Sequence, residues 1–573
     1  MIGMDWRPDE ETDSMIWHIA VQNAIEYSGK GNPGSVIGRI MGIRQDLRQY
    51  GKVLSPIIAS KVQQANSLAT DKGLEHLKEI LANEAPELLQ EREKKARREG
   101  LPELKNAVKG KVVLRFAPNP NGPLSFGHAR GIIINGEYAK QYNGELILRF
   151  DDTDTTIKPP LKEAYSIIEQ EAEWLLGFKP HRIVIASDRI EQYYQYVNLM
   201  LEGEFGYVCQ CSGDEFRVHR VEMTECPCRI NSKETNLKLW QGMLNGEFKP
   251  GDAVVRVKTD MTLKNPALRD WPALRIQDTT LNPHPRKEIG SKYVVWPLLD
   301  FQSAVEDYLQ GVTHIIRGKD LMDSTRKQTL LYQHFDWKYP ETMYWGRVKV
   351  HEWGGFSTSQ MRKDIESGKY DDWNDPRLPT IAGLSSRGIE AAALRNFWIE
   401  LGVTQKDISV PLTTLYSHNT KTIDDDAPRI SFVRNPVSIK IEGLSADSIE
   451  IPTHPNNPKM GTRKITLDSR TVYIEKSDLK NNFLRLKEFA DFDIVNNVAT
   501  FISSQRSDSR KIIHWTSLDS SKEADLVMVM DNEIVKIPGM IESHNLEIGT
   551  HVQIERIGYG VIAANNQIIF THD

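Results

Sequence analysis

The chain has 573 residues, 39% of them hydrophobic and 26% charged, with 38 Gly and 28 Pro. This excludes collagen-like, low-complexity and wholly disordered chains, and at roughly 100–200 residues per domain it implies several domains. The 72 basic and 78 acidic residues leave a formal charge of −6, which excludes a histone-like coat of positive charge but not a basic groove for nucleic acid. No stretch approaches the ~18 apolar residues that cross a bilayer, and the opening MIGMDWRPDE carries no basic leader, so no membrane partner is expected and the cytoplasm is the expected compartment.

From Trp6 to Gly100, segments such as VIGRIMGIRQDL and GLEHLKEILANEAPELLQ place apolar residues at three- and four-residue spacing, which predicts a helical lead domain over 1–109. The mixed charge run from Glu91 to Glu99 reads as a solvated helix face. At Gly110 the texture changes to KVVLRF, then APNPNGPLSFG, then a helical stretch from His128 to Tyr142, then ELILRF. Strands alternating with helices predict a parallel sheet with right-handed crossovers, whose ligands sit at the carboxyl ends of its strands. The loop after Phe116 is therefore the first candidate site.

The alternation breaks between Cys209 and Ser291 and is expected to resume at KYVVWPLLDF and GVTHIIRGKD. The predicted plan is a Rossmann-type core in two halves, 110–208 and 292–350, around an insertion over 209–291. A helical region over 351–431 follows. From about 432 to 573, short β runs such as VSIKIEGL, TVYIEKSD and HVQIERIGYGVI predict β-barrels.

Two features carry chemistry on their own. Pro118, Asn119, Pro120, Asn121, Gly122 and Pro123 form a turn that can be neither helix nor central strand, and Gly127-His128 opens the next helix. A helix N-terminus points free N–H groups at phosphate, an adjacent imidazole can donate to developing negative charge, and bare Gly127 lets a flat ring pack on the backbone. The second feature is the cysteine supply: all four thiols, Cys209, Cys211, Cys226 and Cys228, lie within one segment as two Cys-x-Cys pairs. Such pairs suit a closed tetrahedral zinc site, the other reading being reduced, unliganded thiols. His219 inside the loop reads as a surface residue.

The run RFAPNPNGPLSFGHARG resembles the first nucleotide-binding motif of class I aminoacyl-tRNA synthetases, in the form found in archaeal glutamyl-tRNA synthetases. GGFSTSQMRK, Gly354 to Lys363, resembles their second motif. RFDDTD from Arg149, GVTHIIRGKD from Gly311 and WNDPRLPT from Trp373 follow the family order, and HPNNPKMGTR and VQIERIGYG extend the likeness nearly to the C-terminus. The resemblance implies a two-step ligase that activates L-glutamate with ATP, accompanied by Mg2+, and transfers it to the 3′ end of a glutamate tRNA, with glutamine tRNA as a second candidate. It implies ATP contacts at Pro118, Asn119, Gly127, His128, Ser357, Thr358 and Ser359, with His128, Thr358 and Lys363 in catalytic roles. Arg115 and Arg317 match the family's arginines for the substrate side chain, and Asp151 its acid for the α-amino group. It further implies zinc in an acceptor-binding insertion and anticodon-binding barrels at the C-terminus, with Arg463 and Lys464 as basic candidates there. The sequence does not fix the oligomeric state; a monomer is the expectation.

Departures are visible too. Ser125 and Thr358 stand where the wider class has His and Lys, Gln360 where these relatives commonly have Lys, and Leu299 where many have Tyr. Arg362 or Lys363 is then left to supply charge for pyrophosphate. The rival readings are a glutaminyl-tRNA synthetase, which shares the architecture, and a non-catalytic tRNA-binding paralogue. A guanidinium at Arg317 suits a carboxylate better than an amide.

Overall fold

The computed structural model describes residues 6–89, 100–354, 357–507 and 509–573. The Glu91–Glu99 charge run and Gly355-Phe356 of the second motif fall outside them. The chain divides into two compact units, Met1–Arg98 and Glu99–Asp573.

The first unit is helical: α1 (Glu10–Glu26), α2 (Pro33–Ile43) and α3 (Gly51–Glu84). Asp9 caps α1 by accepting the Thr12 N–H at 2.8 Å, and Asn32 caps α2 just before Pro33 at its first turn. α3 breaks at Gly73, whose φ of +83° continues no helix. Ile16, Ile19, Leu54, Ile58, Val62, Leu77 and Leu81 form its core.

The second unit starts with β1 (Val113–Phe116), α4 (Phe126–Gln141), β2 (Glu145–Phe150), α5 (Ala164–Leu176) and β3 (Arg182–Ile185), with β1, β2 and β3 parallel. After α6 (Ile190–Glu202) the chain leaves the parallel sheet. β4 (Gly206–Cys209), α7 (Gly213–Glu222), α8 (Lys233–Leu244), β5 (Val254–Val257), β6 (Pro272–Ile276) and β7 (Val295–Pro297) form the insertion, whose strands pair antiparallel in the order β4-β5-β6-β7 over Trp240, Trp271 and Trp296. The KYVVWP strand, expected to resume the parallel alternation, closes this antiparallel sheet instead. A run of buried β-branched residues fits either kind of sheet, so hydropathy does not separate them.

The parallel alternation resumes with α9 (Leu299–Leu309), β8 (His314–Gly318), α10 (Met322–His334) and β9 (Glu341–Trp345), the last two strands pairing parallel. β8 lies beside β1 through Thr313: its N–H donates to the Val113 carbonyl at 2.9 Å and its Oγ1 accepts the Val113 N–H at 2.9 Å. The spatial order β3-β2-β1-β8-β9 reverses direction between β1 and β8, the topological switch point at which open parallel sheets bind ligands.

Beyond β9, β10 (Val348–Val350) pairs with β11 (Ile408–Val410) around α11 (Thr358–Glu366), α12 (Ile381–Ser386) and α13 (Ala391–Leu401), and α14 (Leu412–Ile423) follows. The chain ends in two barrel-like seven-stranded sheets. No described helix is long and apolar enough to cross a membrane.

Candidate active site

At the switch point the strands open into a cavity of about 190 Å³ lined by Arg115 and Phe116 of β1, Asp151 after β2, Leu299 and Ser303 of α9, and Ile316 and Arg317 of β8. This is below the ~300 Å³ of a pocket for a drug-sized ligand and fits a small metabolite.

Its floor is ionic. Arg149, 1% exposed at the end of β2, donates from Nε to Asp151 at 2.7 Å, from Nη1 to Asp307 at 2.7 Å and from Nη2 to the Ser303 hydroxyl at 2.8 Å. Arg115 forks onto the same Asp307 carboxylate at 3.2 and 3.3 Å, and Gln302 donates to Asp151 at 2.9 Å. Burial works to raise the Asp307 pKa, but Arg115 and Arg149 outweigh it and hold the carboxyl below its ordinary value. For Asp151 burial prevails over Arg149, so its carboxyl sits above its ordinary value.

Three guanidinium groups thus meet two carboxylates, and the unmatched one is Arg317. Its Nη2 donates only to neutral oxygens: Thr325 Oγ1 at 2.6 Å, Gln328 Oε1 at 2.9 Å and the Tyr339 hydroxyl at 3.1 Å. Its Nε is buried without a partner. A 5% exposed cation that lines a cavity and meets no carboxylate at ion-pair distance among the described residues is arranged for an anion. Arg115, Asp151 and Arg317, distant in sequence, are therefore brought to one cavity. Arg115 and Asp151 already hold oppositely charged partners; among the described residues Arg317 has none.

The first-motif loop runs beside this cavity. The Asp151 N–H donates to the Pro118 carbonyl at 3.0 Å, Asn119 donates to the Lys158 carbonyl at 3.2 Å, and the Leu161 N–H donates to the Pro120 carbonyl at 2.8 Å. At the start of α4 the Ser125 N–H donates to His128 Nδ1 at 3.2 Å, so the imidazole takes the place of the acid in a capping box and its proton sits on Nε2. Burial, with Lys158 adding to it, pushes the His128 pKa down to about 4. The ring is neutral at physiological pH and offers one N–H. Above Gly127 the space is open: an added Cβ would meet nothing nearer than Ser125 Oγ at 3.9 Å.

The second motif meets the first. A Cβ on Gly122 would lie 2.6 Å from Thr358 Cγ2 and 3.2 Å from the Trp373 ring, so only glycine lets these segments touch. The Phe126 N–H donates to the Pro379 carbonyl and the Ile381 N–H to the Leu124 carbonyl, each at 2.9 Å, which ties WNDPRLPT to the same loop. Ser357 caps α11 by accepting the Gln360 N–H at 3.2 Å, and Ser359 is exposed. Of the two candidate cations, Arg362 is paired to Glu366 at 2.8 Å, whereas Lys363 is exposed with no ion pair among the described residues.

In the insertion, the Sγ atoms of Cys209, Cys211, Cys226 and Cys228 all lie within 4.8 Å of one another. The Cys209–Cys226 and Cys211–Cys228 separations are 3.9 and 3.7 Å. Four thiolates around zinc at ~2.3 Å stand ~3.8 Å apart in a tetrahedron, so the donor set fits that ion. The Gln210 N–H also points at Cys228 Sγ, at 3.4 Å. His219 is not among these donors; its exposed ring bonds Thr224. In the C-terminal sheets Arg463 is not a free cation: its side chain, 17% exposed, is held between Glu542 at 2.7 Å and Glu555 at 3.5 Å. Lys464 is exposed.

Arg149, Lys158, Glu171 and Asp307 were not among the sequence candidates. For Arg149 and Asp307 the available signal was a charged residue inside an apolar strand or helix, as in ELILRF and LLDFQSAVEDYL, and such a pattern does not say where the charge points.

Residues 111–425 match the family described as tRNA synthetases class I (E and Q), catalytic domain, and residues 427–507 match the anticodon-binding domain of the same class. The chain is 43% identical over 525 residues to a glutamate–tRNA ligase of Methanosarcina mazei, covering 89% of this chain and 90% of that protein. To a glutamate–tRNA ligase of Archaeoglobus fulgidus it is 41% identical over 570 residues, covering 97% of this chain and 99% of the other.

Glu171 on α5 provides a test of how the loop is held. Its carboxyl accepts the Leu124 N–H at 2.7 Å, and burial pushes its pKa up to about 8. Between its unfolded value near 4.5 and about 8 the folded state keeps a proton that the unfolded state has lost. Stability should therefore fall as pH rises through that window and level off above it. Glu171→Gln, which keeps an acceptor without a charge, should flatten that part of the curve in urea titrations from pH 5 to 9; parallel curves would contradict this assignment.

Proposed function

Because the chain belongs to the class I glutamyl and glutaminyl tRNA synthetases, we propose that it is the glutamate–tRNA ligase of its source: ATP + L-glutamate + tRNA(Glu) = AMP + diphosphate + L-glutamyl-tRNA(Glu). In the first step a substrate α-carboxylate oxygen attacks the α-phosphorus of ATP. The new acyl–phosphate bond replaces the bond to pyrophosphate, which leaves. In the second, a hydroxyl of the tRNA's terminal adenosine attacks the acyl carbon, gives up its proton and displaces AMP. No group of the protein needs to become covalently attached, so catalysis is positioning and charge stabilisation.

The observation that carries the reading is the unmatched Arg317 at the β1/β8 switch point. The substrate's distal carboxylate supplies the anion it lacks, with Arg115 beside it, and Asp151 receives the α-ammonium. Glutamine would leave the buried guanidinium facing a neutral amide, which is why glutamate is preferred over the glutaminyl reading. His128, neutral and donating from Nε2, and the free N–H groups of the α4 terminus serve the phosphates, with Pro118, Asn119 and Gly127 around the nucleotide and Ser357, Thr358 and Ser359 closing from the second motif. Lys363 is the cation we assign to pyrophosphate, since Arg362 is engaged by Glu366. Mg2+ would accompany ATP and supply charge neutralisation at its phosphates.

The four cysteines hold one structural zinc, the insertion over 209–291 takes the acceptor end, and the barrels over 432–573 take the anticodon. Glutamine tRNA is a second substrate for glutamate in this reading.

Three outcomes check it. Charging of glutamate and glutamine tRNAs with each amino acid should give glutamate transfer and no glutamine transfer; glutamine transfer alone would overturn the choice of substrate. Arg317→Ala should raise the KM for glutamate roughly 10- to 100-fold, the loss expected from one charge-assisted contact of ~1.5–3 kcal/mol, with the KM for ATP little changed. Purified protein should contain about one zinc per chain, and Cys226→Ser should lose the metal and lower the melting temperature; four titratable thiols without metal would remove the zinc assignment.

A further inference from the structure

The chain contains one short pattern twice, in two different parts of the fold. Asp154-Thr155-Thr156-Ile157-Lys158-Pro159 follows β2, and Asp278-Thr279-Thr280-Leu281-Asn282-Pro283 lies in the insertion between β6 and β7. The two copies fold alike. In the first, Asp154 Oδ1 accepts the Thr156 N–H at 3.0 Å, the Thr156 hydroxyl at 3.1 Å and the Ile157 N–H at 2.9 Å. In the second, Asp278 Oδ1 accepts the Thr280 N–H at 3.1 Å, the Thr280 hydroxyl at 2.6 Å and the Leu281 N–H at 3.1 Å. The first Thr of each copy is an anchor, 3% exposed at Thr155 and 1% at Thr279. Each copy lifts one branched aliphatic side chain into solvent: Ile157 is 70% exposed and Leu281 is 78% exposed.

The copies are braced together. Gln277, immediately before the second, accepts the Thr155 N–H at 3.0 Å and the Thr155 hydroxyl at 2.9 Å, and donates to the Thr153 carbonyl at 3.0 Å. Arg275 reaches Asp154 at 3.4 Å. A single exposed aliphatic residue needs no explanation. Two of them, on matching and mutually braced turns, form a preorganised surface.

We propose that Ile157 and Leu281 are the two prongs of an apolar clamp for the unpaired 3′ nucleotides of the tRNA, seating that strand as it enters the glutamate cavity. This rests on the ligase reading above and goes beyond it by naming the contact. The position favours that occupant. The first turn starts three residues after Asp151, which lines the cavity, and its Lys158 carbonyl is held by Asn119 of the nucleotide loop. The second turn belongs to the inserted sheet. A strand that delivers its terminal hydroxyl to the cavity crosses this rim. The chemistry favours it as well: Lys158 follows Ile157 directly, and Lys162 and Lys287 stand within six residues of a tip in sequence, all three exposed and with no ion pair among the described residues. Aliphatic tips beside unpaired lysines suit base faces joined by phosphates, because splayed single-stranded bases offer apolar surface and the backbone offers charge.

The experiment uses the full chain and glutamate tRNA transcripts carrying 2-aminopurine at one unpaired 3′ position. Wild-type protein should change the probe's fluorescence on saturation. Ile157→Ser with Leu281→Ser should lose at least half of that change and raise the KM for tRNA roughly tenfold, with an unchanged melting temperature, since both side chains are exposed. Each single serine variant should show a smaller loss, and Ile157→Leu and Leu281→Ile should keep the wild-type signal. A double variant with wild-type fluorescence change and KM would overturn the clamp while leaving the ligase reading intact. Wild-type protein that charges no tRNA with glutamate would remove the ligase reading itself.

Discussion

Arg149 is the fixed point of the catalytic half. Fully buried at the carboxyl end of β2, it spends its donors on Asp151, Asp307 and Ser303, and so sets the positions of Asp151, which lines the cavity, and of Asp307. A buried guanidinium is tolerable only if its donors are matched, and the geometry that matches them leaves little freedom to α9. Asp307, shared between Arg149 and Arg115, couples the first and second strands to a helix that begins almost 150 residues later in the chain. The parallel sheet, the return of the chain after the insertion and the shape of the cavity are joined at this one charge cluster.

In the proposed reading, the same cluster is what lets a single arginine set substrate choice. Arg115 and Arg149 are neutralised from within, so neither adds a free charge to the cavity. Arg317 is solvated only by hydroxyl and amide oxygens. A ligand carboxylate there replaces no existing ion pair, and its binding energy is not offset by breaking one. On the side proposed for the nucleotide the device differs: a neutral imidazole is locked by the backbone at a helix start, where burial and Lys158 disfavour a full cation.

Legibility from sequence differed between elements for physical reasons. The helical lead unit, the first strand–turn–helix and the clustered thiols were readable because they depend on local periodicity, on Pro and Gly in a turn, and on close spacing. The strand Val295–Pro297 was misplaced because buried strands of either sheet type share one hydropathy pattern. Arg463 appeared as a surface cation until packing placed it between Glu542 and Glu555. Lys158 and Glu171 carried no sequence signal, since nothing local records which distant residue they face.

Local chemistry therefore determined the order of the elements, the first-motif turn, the cysteine knuckle and the family likeness carried by the motifs, because each is written in contiguous residues. Only the tertiary structure decided which arginine keeps its charge unmatched, that Gly122 lies against Thr358, and that two distant copies of one turn stand braced together. Those facts depend on pairings across more than a hundred residues of chain, where each group's environment is supplied by others that sequence distance does not reveal.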